Sequence, residues 1–104
     1  MWIAEIHYYR ESLYQLPPEK YAEVQKGSIA FVHKYMKAGK WKHFFPFANG
    51  RGGISVWEFA SGEEMATTLA ESPIYHHLDS QIVPLMEPEV TKRLLEAAEA
   101  ASAN

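Results

Sequence analysis

The chain of 104 residues has no cysteine, which excludes a disulfide framework, a thiolate nucleophile and thiolate metal ligation. It also has no run of about 18 apolar residues, the length a membrane-crossing helix needs. Its first residues, Met1 to Ser12, lack the basic start and long apolar stretch of an export signal. A cytoplasmic protein with no membrane partner is therefore expected. Basic excess is missing too: the net charge is −3, which argues against general affinity for nucleic acid. The glycine-rich turn Asn49-Gly50-Arg51-Gly52-Gly53 is too short for a phosphate-binding loop and lacks the Lys-Ser/Thr that would follow. No Gly-x-Ser-x-Gly nucleophile elbow occurs. His43, His76 and His77 lack the H-x-x-x-H or HExxH spacing of a metal site. No metal and no cofactor are expected.

What remains is a globular composition, 47% hydrophobic and 22% charged, with 13% aromatic residues that favour a packed interior or an aromatic-walled pocket. The length suits one domain, residues 1–104, with 88–104 a C-terminal helix and tail. Residues 2–9 alternate as a strand, with Trp2, Ala4, Ile6 and Tyr8 on one face and Ile3, Glu5, His7 and Tyr9 on the other. Pro17-Pro18 opens a helix whose stripe is Tyr21, Val24, Ser28, Phe31 and Tyr35, closed by Gly39. Trp41 to Ala48 and Gly53 to Phe59 read as a hairpin, with Pro46 marking an edge strand or a bulge. Ser61 and Glu64 form a capping box for a helix to about Ala70, with Met65 and Leu69 inward. Leu78 to Leu85 is a fourth strand, and Pro88 opens a helix with Val90, Leu94 and Ala98 inward.

The order βαββαβ plus a helix predicts an α+β fold, a four-stranded antiparallel sheet with two helices on one face. The other face, carrying Trp, Tyr, Phe and His side chains, needs a cover, and pairing of two sheets in a barrel-like dimer supplies one.

Three segments carry a family likeness. Gly39-Lys40-Trp41-Lys42-His43 is close to a G-x-W-[RK]-H motif, Gly53-Ile54-Ser55-Val56-Trp57-Glu58 follows in the third strand, and Ser72-Pro73-Ile74-Tyr75-His76-His77-Leu78-Asp79-Ser80-Gln81-Ile82 is similar to L-P-L-F-P-Y-M-D-I-E-V. Together they resemble the muconolactone isomerase family, of the ferredoxin-like, dimeric α+β barrel group. The resemblance implies a cofactor-free proton shift on a small unsaturated lactone bearing a carboxylate, in a homodimer or a larger ring such as a decamer. Lys26-Gly27-Ser28-Ile29-Ala30 stands where the family has acidic residues, and Gln81 where it has glutamate. These departures favour the alternative of a non-catalytic ligand-binding or assembly module. A cofactor-free monooxygenase of the same barrel group is a third reading.

Such a proton shift needs a base, donors for the enolate oxygen and a cation for the carboxylate. His43, in the motif that carries the likeness, is the preferred base, and a histidine works near neutral pH. His7 and Glu5 share a strand face and are further catalytic candidates, or a hydrogen-bonded pair at an interface. Asp79 is a candidate base or a turn residue. Arg51 and Lys42 are candidates to hold an anion; an arginine in a glycine-rich turn is also commonly just exposed. The cluster Lys34, Lys37, Lys40 and Lys42 either guides an anion or neutralises a helix C-terminus. Trp41 and Trp57 wall a substrate pocket or serve as core.

Overall fold

The computed structural model describes residues 1–103. Strand β1 (Trp2–Tyr9) leads through a single helical turn α1 (Glu11–Tyr14) into α2 (Pro18–Lys37). The hairpin β2 (Trp41–Pro46) and β3 (Gly52–Glu58) follows, then α3 (Gly62–Ala70), a 3-10 turn at Tyr75–His77, β4 (Leu78–Leu85) and α4 (Pro88–Ser102). The strands are all antiparallel in the order β2-β3-β1-β4, so β1 and β3 are central. The expected four-stranded α+β fold is thus present.

Local chemistry explains the helices. Pro18 starts α2, where its missing N–H loses nothing, and Lys34 and Lys37 sit in the last turn against the negative end of the dipole. Gly39, at φ 74°, turns the chain out of the helix. Ser61 Oγ accepts from the Glu64 N–H at 3.1 Å, and Glu64 Oε2 accepts from the Ala60 N–H at 3.2 Å, so α3 starts on its two-way cap.

The core lies between the sheet and α2 with α3. Ile3, Trp41, Trp57 and Phe59 are buried, with Phe31, Val32, Tyr35, Met65 and Leu69 packed against them. Trp41 and Trp57 stack across the β2–β3 pair with centroids 4.4 Å apart and planes at 21°. Burying each such side chain contributes roughly 1.5–3 kcal/mol, so this aromatic cluster anchors the hairpin to α2.

Two expectations are corrected. The second strand stops at Pro46 and not at Ala48, because proline ends the donor series and Phe47 enters a turn, accepting from the Gly50 N–H and donating to the Gly52 carbonyl. The C-terminal helix does not turn its apolar side inward: Leu94 and Leu95 are 53% and 61% exposed, and Ala98 is exposed, although Val90 is half-buried. The inner face of the sheet is occupied by α2 and α3, α4 projects away, and the chain reaches 65 Å along its longest axis. The outer face is left bare, with Phe45 61% and Tyr8 55% exposed.

Candidate functional site

A cavity of about 170 Å³ lies between the inner sheet face, α2 and residues 72–78. Its floor comes from β1. Strand alternation sends Ile3, Glu5, His7 and Tyr9 inward, and Glu5 and His7 are buried, at 7% and 5% exposure. His7 Nδ1 lies 3.5 Å from Glu5 Oε1, near enough for charge to be felt yet too poorly placed for a hydrogen bond. Ser80, opposite His7 in the β1–β4 pair, donates its hydroxyl to Glu5 Oε2 at 3.2 Å and fixes that carboxylate.

Two glycines make room for this floor. A Cβ at position 52 would stand 2.0 Å from the His7 carbonyl oxygen, so only glycine allows β3 to approach β1 there. Gly53, paired with His7 across the strands, would meet Phe44 Cε1 at 2.8 Å and the Phe45 carbonyl at 2.9 Å. Its bare backbone lets the Phe44 ring lie close against β3, and the His7 ring lies 6.0 Å from that of Phe44 and 5.7 Å from that of Tyr9.

The walls are aromatic. Trp41, Phe44 and Trp57 come from the hairpin and Phe31 from α2, whose ring meets Trp41 edge-on at 5.7 Å. Gln25 and Ser28 add polar groups from α2. Burial, helped by Tyr14 and Tyr21, pushes the Tyr9 phenol up from its ordinary value, so its hydroxyl keeps its proton at the cavity edge. Away from the cavity, the Tyr35 hydroxyl donates to Glu71, which lowers the Glu71 carboxyl and raises Tyr35 and, with it, Lys34.

Of the residues singled out from sequence, the structure brings Glu5, His7, Trp41 and Trp57 together around the cavity. The others lie elsewhere. The β2–β3 register shifts between Trp41 and His43: Trp41 pairs with Trp57, but His43 pairs with Val56. This bulge turns His43 to the outer face, exposed and stacked at 6.1 Å on Phe45. Lys42 stands over the Trp2 ring, 3.9 Å from Glu58, and Asp79 is exposed and takes a 2.8 Å bond from Arg10. Arg51 lies over Tyr14, 3.8 Å from Glu11. His77 Nδ1 is 2.8 Å from Ser12 Oγ. Among the described residues no three His, Cys, Asp or Glu side chains group as a metal set, and no helix is long and apolar enough to cross a membrane.

Sequence reasoning missed Ser28, Gln25 and Tyr9 as lining residues. Ser28 carried a signal, being a polar residue within the apolar stripe of α2.

The sequence profile of muconolactone delta-isomerase matches residues 9–89. The chain belongs to this family. The muconolactone delta-isomerase of Acinetobacter baylyi is 23% identical over 70 residues, covering 67% of this chain and 73% of that protein. A crystal structure of muconolactone isomerase superimposes with a TM-score of 0.71 at 20% identity, covering 85% of this chain and 92% of the other. The 5-chloro-2-hydroxyhydroquinone dehydrochlorinase of Burkholderia phenoliruptrix, in complex with 2,5-dihydroxybenzoquinone, superimposes with a TM-score of 0.62 at 13% identity, covering 86% and 97%. At these identities the structural likenesses show the fold. Within the muconolactone isomerase family, then, this chain keeps the sheet and helices and places a Glu–His pair beneath an aromatic cavity.

Proposed function

We propose that the protein catalyses a cofactor-free proton shift on a small cyclic metabolite, with His7 as the base and Glu5 as its charge partner. The observation that carries this reading is the pair itself, buried at the floor of the cavity with 3.5 Å between Nδ1 and Oε1.

The chemistry runs from the groups present. A ring C–H next to a carbonyl gives its proton to the His7 imidazole; the C–H bond breaks, an N–H bond forms, and the electron pair moves onto the carbonyl oxygen. The imidazolium is stabilised by the Glu5 carboxylate, which Ser80 holds in place. Donors for the developing oxyanion are available from residues lining the cavity: the Ser28 hydroxyl, the Trp57 indole N–H and the Tyr9 hydroxyl. Return of the same proton to another carbon of the conjugated system completes an isomerisation without oxidant or cofactor. Family membership supports this reaction class, and the ring compound named with the dehydrochlorinase supports a flat ligand.

We further propose a homodimer in which the outer sheet faces cover one another, because that face exposes Phe45, Tyr8 and Leu85.

The direct test is proton NMR in deuterium oxide with α-angelica lactone, a neutral enol lactone, and with muconolactone. Deuterium entry or double-bond migration catalysed by the wild type and lost in His7→Ala is the expected result. Rates equal to buffer for both lactones would overturn the enzymatic reading.

A further inference from the structure

The charge inventory of the cavity is one-sided. Its lining contains one carboxylate, Glu5, and no lysine or arginine. The two cations that a carboxylate-bearing substrate would call on lie elsewhere, Arg51 against Glu11 and Tyr14, and Lys42 near Glu58 and over the Trp2 ring. A carboxylate entering this space would leave water, meet no positive partner except a protonated His7, and face Glu5 at short range. A buried charge without a partner is strongly disfavoured.

The polar atoms that lack partners point to a different ligand. His7 Nδ1, Ser28 Oγ and Trp57 Nε1 are buried without a hydrogen bond, and all three belong to lining residues. Trp57 is 1% exposed, so its N–H is shut off from bulk solvent. Buried polar groups are nearly always paired, and groups left orphaned around a cavity are explained by what fills it. The indole N–H can only donate, and a hydroxyl can donate or accept. They therefore match an oxygen on a ring rather than an apolar ring alone. Size limits the ring: an apolar cavity of roughly 150 Å³ accepts one benzene, and this one measures about 170 Å³.

We propose that the cavity takes a single uncharged planar ring bearing one or two hydroxyl or carbonyl oxygens, and that Glu5 excludes the same ring bearing a carboxylate. This rests on the cavity's being the functional site as read above. It differs from the carboxylate ligand that the family resemblance implies.

Isothermal titration calorimetry near neutral pH with resorcinol and 3-hydroxybenzoate tests it, because the two differ by one hydroxyl replaced with a carboxylate. Resorcinol is expected to bind at least about tenfold more tightly, a difference of about 1.4 kcal/mol. Glu5→Gln is expected to cut that preference to about threefold or less, and Ser28→Ala, on a half-exposed helix position that tolerates alanine, to weaken resorcinol about fivefold. Equal or tighter binding of 3-hydroxybenzoate, or no binding of either ring, overturns the proposal. An unchanged preference in folded Glu5→Gln overturns the role given to Glu5, and should that variant not fold, undiminished resorcinol affinity in Ser28→Ala overturns the proposal instead. Neither outcome depends on turnover: selective binding without deuterium exchange would sink the proton-transfer reading alone, and exchange with a preference for the carboxylate would sink this inference alone.

Discussion

His7 and Glu5 stand two residues apart on one strand, both almost fully buried, with Nδ1 and Oε1 separated by 3.5 Å and no hydrogen bond between them. Ser80 reaches across from β4 to hold the carboxylate from its far oxygen. A buried acid and a buried imidazole beside unfilled donors form a poised arrangement, in which charge created on the ring finds a partner without moving it.

Removal of the imidazole should therefore cost more than removal of its partner. His7→Ala is expected to reduce the rate of proton exchange about 10²–10⁴-fold, the usual contribution of a positioned base. Glu5→Gln should lower it less, and His43→Ala, on the outer face, should leave the rate within about twofold. Initial rates measured by NMR in deuterium oxide check all three, and loss of exchange on His43→Ala with retention on His7→Ala would reverse the assignment.

Gly52 is expected to be intolerant of any side chain. A Cβ there lies 2.0 Å from the His7 carbonyl oxygen, a backbone atom in the central strand that cannot swing aside. Gly52→Ala should cost on the order of 3 kcal/mol in urea unfolding, whereas Gly62→Ala, with open space around it, should change stability by less than about 1 kcal/mol.

The Lys40–Glu64 pair at the start of α3 sets an acid limit. The hydrogen bond from Lys40, assisted by the Ala60 N–H, holds the Glu64 carboxyl below its ordinary value of 4.5. A carboxyl with a lowered folded value stabilises fully above the unfolded value and loses that contribution as pH falls through the folded one. The melting temperature of the wild type should thus exceed that of Glu64→Gln near neutral pH, and the gap should close as pH falls below about 4.5. A constant gap in thermal melts across that range would contradict the assignment.

The outer sheet face should drive self-association. Phe45→Glu combined with Leu85→Glu places two charges on a face whose aromatic and aliphatic groups are now exposed. Sedimentation velocity is expected to show a dimer or larger species for the wild type and a monomer for the double variant, with far-UV circular dichroism unchanged. A wild-type monomer at micromolar concentration would remove the need for a cover.

Much of the fold was legible because its signals are local. The capping box at Ser61 and Glu64, the proline at the start of α2, the positive-φ Gly39 and the alternation in β1 each act over a few residues, and each appears as read. Of the residues that line the cavity, Glu5 and His7 were legible from that alternation, and Trp41 and Trp57 from their aromatic character. His43 was not. Simple alternation puts His43 on the same face as Trp41, but the bulge between them reverses the face, and a bulge is a property of the paired strands rather than of either one.

The same distinction governs the two ends of the problem. Sequence alone determined the four strands and the three longer helices in outline, the family likeness and the inward set on β1, because hydrophobic period and capping chemistry are written in neighbouring residues. Tertiary structure decided which histidine meets the cavity, that no lysine or arginine lines it, and that α4 leaves Leu94 and Leu95 exposed. Those facts follow from register and from which face α2 and α3 already occupy, and long-range packing of that kind is fixed only when distant segments meet.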